Sequence, residues 1–350
     1  MAHSPNVLAK RISRALAGAL VGGMLAVGLS PTAADAQDFY RDKTITVLVG
    51  GTAGGGFDTI SRVMAAHMGA YIPGNPSFIV RDVPGGGGIV VANTIYNVAP
   101  KDGTSLAYIG PVAVQPLLSP GNKSIHFDAT KIAWIGSLGV TNSVLIAWHT
   151  TPFKSAADLF AKEMIVSGTG AASTTDIYPK VLNAVLGTRF KLITGYQGSK
   201  ETYLAIERRE ADGRFSALDS IYATVPDWLP SGKARVILQA SVSRQPTLPD
   251  VPTAVDLAKT DAQRQALDFL FLPSEMGRPI AAPPGIPAAQ KTALRDAFAK
   301  LIKDPAFLAE AKQRGLAVDG PMTGEEVDKA VATIYATPKA VVDRVVKAMQ

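Results

Sequence analysis

The residues of this chain best suited to chemistry are glycines at the beginnings of two predicted helices. The first segment, Gly50–Gly56, contains five glycines and follows the apolar, β-branched run Thr44–Val49. The second, Pro84–Gly88, follows the strand pattern Phe78–Val83. A helix N-terminus leaves backbone N–H groups unpaired and is electropositive, and glycine lets a ligand approach these groups closely. The two segments therefore predict a pocket that binds an anion through the backbone.

Each glycine segment also has a plainer interpretation, as a tight turn between a strand and a helix that binds nothing. Two such segments in succession favour ligand binding. Asp58 follows the first segment, and it either caps the helix through N–H groups two or three residues further on or binds an amine or hydroxyl of the ligand. We favour the cap and keep Asp58 among the candidates. The other residues of this half predicted to contact the ligand are Thr52, Ala53, Gly54, Gly55, Gly56, Gly85, Gly86 and Gly87.

A third glycine-containing turn introduces the second half of the chain. Met164–Val166 is a strand pattern, and the segment after it ends in Ser173, Thr174 and Thr175, which are suitable N-caps for a helix. The hydroxyls of Thr169, Ser173 and Thr174 suit turn formation or capping and binding of a polar ligand end equally well. The residues of this half predicted to contact the ligand are Gly168, Thr169, Ser173, Thr174, Tyr196 and Asp219, the last two because they follow strand patterns.

Short strands that alternate with helices position these turns. Such alternation is typical of a parallel sheet with right-handed crossovers, whose ligands bind beyond the carboxyl ends of the strands. Two groups of these units, separated by a long extended stretch around Gly139–Ser143, predict an α/β fold of two lobes. Each lobe is predicted to be a mainly parallel sheet flanked by helices. We predict residues 37–140 with 275–350 as the first lobe and residues 141–274 as the second.

The first 36 residues have the pattern of a secretory signal peptide. Lys10, Arg11 and Arg14 precede the uncharged stretch Ala15–Leu29, and an A-x-A cleavage pattern ends at Ala36, so we predict export with cleavage there. The chain has no cysteine, which excludes disulfides and thiolate chemistry. Its net charge of +6 is scattered, whereas nucleic-acid binding requires a clustered basic face.

Motifs of the common enzyme classes are absent from the sequence. The four histidines form neither an H-E-x-x-H pair nor a cluster. There is no G-x-S-x-G elbow, and the first glycine segment fits neither of the common nucleotide-binding fingerprints. We therefore predict no catalytic residue, no metal site and no cofactor, and a binding protein rather than an enzyme. The alternative is an exported α/β enzyme that acts on an anionic substrate at the same glycine-rich turns.

A series of short segments occurs in a set order along the chain. The segments are GGTAGGGFD (50–58), VPGGGG (83–88), APKDGT (99–104), IVSGTGAASTTD (165–176), GYQGSKE (195–201), ARVILQAS (234–241), LPDVPT (248–253) and IAAPPGIP (280–287). This order resembles that of the Bug-type periplasmic solute-binding proteins of the tripartite tricarboxylate transporter family. The sequence departs from the family at Gly50 and Gly51, where proline and an aromatic residue are frequent. It departs again at Val83 and Gly86, where arginine and alanine are frequent.

The resemblance implies a periplasmic receptor with the two-lobed Venus flytrap fold, which closes on a small organic carboxylate. The loops Thr52–Gly56 and Gly85–Gly88 would hold the ligand carboxylate through backbone N–H groups and water, and Gly168–Thr174 would close over its other end. The closed complex is expected to dock on the membrane permease subunits of the transporter. We expect a monomer that binds no nucleic acid. The sequence does not distinguish transport from a role in passing the ligand state to a sensor.

Overall fold

The structure is a computed structural model that describes residues 39–350, apart from residues 52, 55, 142, 171, 172 and 317. The predicted signal peptide, residues 1–36, lies outside the described residues. No helix within the described ranges is long and apolar enough to cross a membrane.

Strands and helices alternate along most of the chain. The strands are β1 (Thr44–Val49), β2 (Ser77–Asp82), β3 (Ser105–Tyr108), β4 (Ala133–Ser137), β5 (Ser143–Trp148), β6 (Met164–Ser167), β7 (Phe190–Ile193), β8 (Gly213–Ala217), β9 (Ala234–Ala240), β10 (Pro279–Ala282) and β11 (Met322–Thr323). The helices are α1 (Gly56–Met68), α2 (Ile89–Asn97), α3 (Gln115–Leu118), α4 (Asp158–Ala161), α5 (Thr174–Leu186), α6 (Ser199–Glu207), α7 (Leu218–Thr224), α8 (Asp261–Glu275), α9 (Ala288–Leu301), α10 (Pro305–Gln313), α11 (Gly324–Tyr335) and α12 (Lys339–Met349). Short 3-10 turns lie at Gly69–Tyr71, Gly86–Gly88, Gly110–Val114 and Val255–Leu257.

The strands form two sheets. The first has six strands in the order β11-β4-β10-β3-β1-β2, and the second has five in the order β7-β6-β8-β5-β9. The expected parallel pairing is present between β1 and both β2 and β3, and between β6 and both β7 and β8. The pairs β3–β10, β4–β10, β4–β11, β5–β8 and β5–β9 are antiparallel. The α/β class with two sheets is confirmed. Most strands of each sheet run in one direction, but both sheets are mixed, because β10 and β11 are reversed in the first sheet and β5 is reversed in the second.

Capping residues set the ends of helices α5 and α8. α5 begins after Ser173, whose side-chain oxygen accepts from the Thr175 N–H, as predicted, and its C-cap is Gly187 with φ 82°. α8 begins with a capping box in which the side chains of Thr260 and Gln263 each accept from the other's backbone N–H. Local sequence therefore fixes the starts of both helices.

Three clusters of buried apolar side chains join the layers. One holds α1, α9 and α10 against the first sheet and includes Met64 and Phe298. Another holds α6 and α7 against the second sheet and includes Tyr203. The third is shared, since it contains Val112 beside the first sheet and Ile177 on α5 beside the second. Burial of apolar area is the main favourable term in folding, so the shared cluster stabilises the contact between the two halves.

The chain passes between the sheets twice, after β4 and before β10, and hydrogen bonds join the two passages. The Leu138 N–H donates to the Arg278 carbonyl (3.1 Å), and the Thr141 N–H donates to the Ser274 carbonyl (2.9 Å). The C-terminal helix α12 contacts α5 and α8, although β11 and α11 before it belong to the first sheet. The end of the chain therefore lies beside the helices of the second sheet.

Candidate functional site

The two glycine-rich loops lie side by side at the carboxyl ends of parallel strands. β1 lies between β2 and β3, with Val49 opposite both Asp82 and Tyr108. Gly50, the next residue, lies against α2, because a Cβ added to it would be 2.7 Å from Cγ1 of Val91. A side chain at Gly50 would therefore force the first loop away from the second.

The second loop has a backbone that only glycine adopts readily. The φ angles of Gly85, Gly86 and Gly88 are 132°, 57° and 98°. Residues 86–88 form a 3-10 turn in which the Gly88 N–H donates to the Gly85 carbonyl (3.1 Å). The N–H groups of Gly86 and Gly87 are the first two of this turn and have no acceptor within it. They are the backbone donors that an anion at the start of α2 would use.

The first loop is described in part, since Thr52 and Gly55 lie outside the described residues. Ala53 and Gly54 are exposed, and Gly56 begins α1. Gly54 has φ 75°, and a Cβ added to it would have no heavy atom within 4 Å. The loop therefore faces open space at Gly54.

The carboxylate of Asp58 bonds to groups of its own loop and helix. It is 3% exposed, and its Oδ2 accepts from the Gly54 N–H at 2.8 Å. Its Oδ1 forms an ion pair with Nε of Arg62 at 2.7 Å. The described backbone partner lies four residues before Asp58, whereas we predicted capping through residues after it. The positive φ of Gly54 turns the loop back over the helix start, so Asp58 holds the loop closed and already occupies one N–H group of the predicted cradle.

Asp82 at the end of β2 completes a charged cluster with Asp58 and Arg62. Nη2 of Arg62 lies 3.7 Å from Oδ2 of Asp82, and Oδ1 of Asp82 is buried with no hydrogen bond among the described residues. Burial and the charge of Asp58 raise the pKa of Asp82, and Arg62 opposes this. Burial would also raise the pKa of Asp58, but hydrogen bonding from Arg62 and from the Gly54 N–H outweighs it, so that pKa is lowered.

A third loop, which we did not predict as part of the site, meets the first two. It follows β3, and a Cβ on Gly110 would be 3.7 Å from the Phe57 ring. That ring lies 4.7 Å, centroid to centroid, from the fully buried ring of Tyr108. The position of this loop could have been predicted from the sequence. A third parallel strand was expected at β3, and its carboxyl end must then lie at the same edge of the sheet as the first two loops.

Two further charged residues lie near this edge. Arg278, which directly precedes β10, forms an ion pair with Asp219 on α7. The hydroxyl of Tyr108 lies 3.5 Å from the carbonyl of Gly277, and burial raises the Tyr108 pKa above its usual range. Asp219 was predicted as a ligand contact, and in the structure its carboxylate has a partner from the other sheet. Arg278 itself was not predicted.

In the second half, the loop after β6 is also held by a carboxylate of its own chain. Asp176 is 2% exposed, and its Oδ1 accepts from the Gly170 N–H at 3.0 Å. Its Oδ2 accepts from the Thr194 hydroxyl. A Cβ added to Gly168 would lie 2.1 Å from Oδ1 of Asp176, so glycine is needed there for the carboxylate to fit. Residues 171 and 172 of this loop lie outside the described part of the chain.

The hydroxyls of this loop mostly bond to one another. Oγ1 of Thr169 donates to Oγ of Ser173 at 2.9 Å, and Oγ of Ser173 lies 2.8 Å from Oγ1 of Thr175. Thr174 instead lines a small cavity between the two halves. The backbone N–H of Tyr196 donates to the carbonyl of Gly168, while its hydroxyl donates to Glu210 (3.1 Å). Thr174 is thus a predicted ligand contact that borders a cavity lined by both halves.

The described residues of the site can therefore offer backbone donors and hydroxyls. Within the part of the chain that the structure describes, no group of three or more His, Cys, Asp or Glu residues could hold a metal ion. At the start of α2, two N–H groups lack acceptors within their turn and are available to an anion. Such charge-assisted bonds to a carboxylate are about twice as strong as neutral ones.

Comparison with known proteins identifies the family to which this chain is similar. A model of the family described as "tripartite tricarboxylate transporter family receptor" matches residues 60–345. The chain is 28% identical over 293 residues to the UPF0065 protein in the gbd 5' region of Cupriavidus necator, which covers 81% of this chain and 82% of that protein.

Two solved structures show the same fold. The periplasmic binding protein BugD has a TM-score of 0.65 at 20% identity, covering 88% of this chain and 98% of its own. The R. palustris protein Rpa4515, solved with adipate, has a TM-score of 0.66 at 18% identity, covering 87% and 97%. The two-lobed periplasmic binding protein fold is thereby confirmed. Given the match over residues 60–345, the chain belongs to the tripartite tricarboxylate transporter family of receptors.

Proposed function

We propose that this protein binds a small organic carboxylate between its two sheets and delivers it to the membrane subunits of a tripartite tricarboxylate-type transporter. The observation that carries the proposal is the pair of N–H groups at Gly86 and Gly87, which lack acceptors within their turn at the start of α2. A carboxylate bound at this helix start would accept from both backbone donors. The adipate bound by the R. palustris neighbour is a ligand of this class.

Binding is proposed to work by closure of the two predicted lobes, residues 37–140 with 275–350 and residues 141–274, except that α12 moves with the second lobe because it packs on α5 and α8. A ligand that contacts both lobes only when they are closed shifts the population towards the closed form by its differential affinity. Family membership implies a periplasmic location and a receptor rather than an enzyme. The signal peptide over residues 1–36 and the transporter partner are parts of the proposal.

The test is a thermal-shift screen with adipate, succinate, benzoate and glutamate, and with glucose as the neutral comparison. At 100 times its dissociation constant, a true ligand adds about 2.7 kcal/mol to the free energy of unfolding. At least one acid should raise the melting temperature and be recovered unchanged after incubation. A protein that responds to glucose and to none of the acids would contradict the proposal.

A matched pair of variants then locates the site. Gly54 and Gly315 have nearly equal φ angles of 75° and 72°, and a Cβ added to either meets no atom within 4 Å. Gly54→Ala and Gly315→Ala should therefore lose similar stability from the same backbone strain. Only the methyl at Gly54 projects into the proposed anion site, so we expect affinity for the acid to fall at least tenfold in that variant alone. Equal affinities in the two variants would remove the first loop from the site.

A further inference from the structure

A small cavity lies between the segment that follows β3 and the helices α5 and α8. Its volume is about 40 Å³. Val112 and Gln115 line it from the side of the first sheet, Thr174 and Tyr178 from α5, and Ser274 from α8. The cavity is therefore formed by both halves of the protein. It is large enough to hold at least one water-sized group.

Gln115 is the unusual residue of this cavity. It is 7% exposed, and no hydrogen bond of its side-chain amide is found within the described part of the chain. The surrounding side chains include Val112, Leu118 and Leu270, which offer no polar atom. Neither polar atom of the amide is fully enclosed by protein, and Gln115 lines the cavity, so a ligand group or a water within the cavity can hydrogen-bond to it.

The polar groups around Gln115 are uncharged. They are the hydroxyls of Thr174, Tyr178 and Ser274, of which the last two lie 3.3 Å apart. No Lys, Arg, Asp or Glu is among the residues described as lining the cavity. An ionised group placed there would be buried without a counter-ion, which is strongly unfavourable. An amide is both donor and acceptor, so a ligand hydroxyl or amide suits this environment best.

The cavity adjoins the loops of the proposed carboxylate site. A Cβ added to Gly88 would lie 3.6 Å from Cβ of Val112, so the second glycine loop contacts one wall of the cavity. Thr174 is the first residue of α5 and follows the loop that begins at Gly168. A ligand whose carboxylate binds at Gly86 and Gly87 can therefore extend its other end towards Gln115.

We propose that Gln115 determines ligand specificity by hydrogen-bonding the second end of the ligand. The preferred ligands are then carboxylates that end in a hydroxyl or amide, and dicarboxylates are disfavoured. This inference rests on the proposed function, since it takes the carboxylate end to bind at the glycine loops.

The first test compares matched acids by calorimetry. Each series contains an alkyl acid, a hydroxy acid, a monoamide and a diacid of one chain length. The six-carbon series is hexanoate, 6-hydroxyhexanoate, the monoamide of adipate, and adipate. The four-carbon series is butanoate, 4-hydroxybutanoate, succinamate, and succinate. We expect the hydroxy acid or the amide to bind at least tenfold more tightly than both the alkyl acid and the diacid of the same length. In Gln115→Met, which keeps the volume and removes the amide, this preference over the alkyl acid should disappear while the alkyl acid still binds. Gln313→Met, at an exposed glutamine, is the control and should leave the preference unchanged.

A second measurement separates this inference from the proposed function. The side-chain NH₂ signal of Gln115 in the ¹⁵N spectrum is identified by its loss in Gln115→Met, and wild-type protein is then titrated with propanamide, which has no carboxylate. A saturable shift of this signal supports the inference, whether or not any acid binds. Failure of every acid to bind would overturn only the proposed function. Two results would overturn the inference, because each would show that Gln115 meets only an ordered water. One is that wild type and Gln115→Met have the same preference among the acids. The other is that neither propanamide nor any bound acid shifts the Gln115 signal.

Discussion

The guanidinium of Arg278 forms an ion pair with the carboxylate of Asp219, and the two residues belong to different halves of the protein. Arg278 precedes β10 of the first sheet, and Asp219 lies on α7 after β8 of the second. Their side chains are only 5% and 19% exposed. A charge pair shielded from water in this way leaves a costly unpaired charge when one partner is lost. The pair therefore links the two halves beside the candidate site.

The first prediction concerns this ion pair. Asp219→Ala removes the carboxylate that forms an ion pair with the buried Arg278, and we expect a loss of about 3 kcal/mol in the free energy of unfolding. The control is Asp227→Ala, which removes Asp227 from its pair with Lys233, where the side chains are 59% and 49% exposed, and should cost at most about 1 kcal/mol. Urea denaturation measures both. Equal losses would mean that the Arg278 pair contributes no more than a surface pair.

The second prediction concerns the pH dependence of stability at Asp82. Because burial and the charge of Asp58 raise its pKa in the folded state, the folded protein binds this proton more tightly than the unfolded chain does. The ionised carboxylate therefore destabilises the protein above the raised pKa, and the penalty disappears as the pH falls below the ordinary value of 3.8. Asp82→Asn should be more stable than wild type at neutral pH, and this advantage should vanish in acid. Denaturation of both proteins across this pH range measures the difference.

Asp58→Asn is the opposing control for that experiment. Hydrogen bonding from Arg62 and Gly54 outweighs burial and lowers the pKa of Asp58, so its ionised form stabilises the fold above the ordinary pKa and loses this effect as the pH falls. Asp58→Asn should therefore destabilise the protein at neutral pH. If both variants change stability in the same direction at neutral pH, the assignment of the two carboxylates is wrong.

The third prediction compares two neighbouring glycines at the end of β1. A methyl on Gly50 would meet Cγ1 of the fully buried Val91 at 2.7 Å, so Gly50→Ala should cost about 1–3 kcal/mol through overpacking. A methyl on Gly51 would meet Phe57 at 3.5 Å and Val49 at 3.8 Å, which are ordinary contacts. Gly51→Ala should be neutral or stabilising by up to about 1 kcal/mol. Thermal melts distinguish the two, and similar melting temperatures would contradict the close approach of the loops.

The fourth prediction concerns the loop after β6. Asp176→Ala removes the acceptor for the Gly170 N–H and the Thr194 hydroxyl, and should cost about 1–3 kcal/mol. Ser173→Ala removes the N-cap of the adjacent helix and should cost about 1 kcal/mol. Hydrogen exchange of the Gly170 amide should accelerate in Asp176→Ala more than in Ser173→Ala. An unchanged exchange rate in Asp176→Ala would show that the carboxylate does not order this loop.

Much of the fold follows from local sequence, because short apolar runs are bounded by turn residues. The apolar run Thr44–Val49, for example, has the limits that the structure gives β1. Helix α8, Asp261–Glu275, was not predicted, since Pro273 lies inside it and its first half is polar. Its capping box at Thr260 was the available signal. Strand β10 was also missed, because its four residues, Pro279–Ala282, run directly into a proline-rich turn.

The candidate site was predictable where its residues are neighbours in sequence. The glycine loops and the N-cap Ser173 are local features, and the structure shows them as expected. Arg278, Tyr108 and Gln115 were not predicted, because their positions depend on which distant segments the sheets bring together. Arg278 and Asp219, for example, are 59 residues apart in sequence. The carboxylate that holds the Gly54 turn was expected to face the helix, because sequence alone does not show which way a loop turns back.

The position of the last helix makes the proposed closure of the two lobes measurable. Near the start of the described chain, Tyr40 is buried in the cluster of the first sheet, whereas Nζ of Lys180 on α5 donates to the carbonyl of Met349 at 3.0 Å. The two ends of the described chain are thus attached to different halves. Fluorophores placed near residues 39 and 349 would therefore convert a hinge motion into a change in energy transfer, with no label near the candidate site.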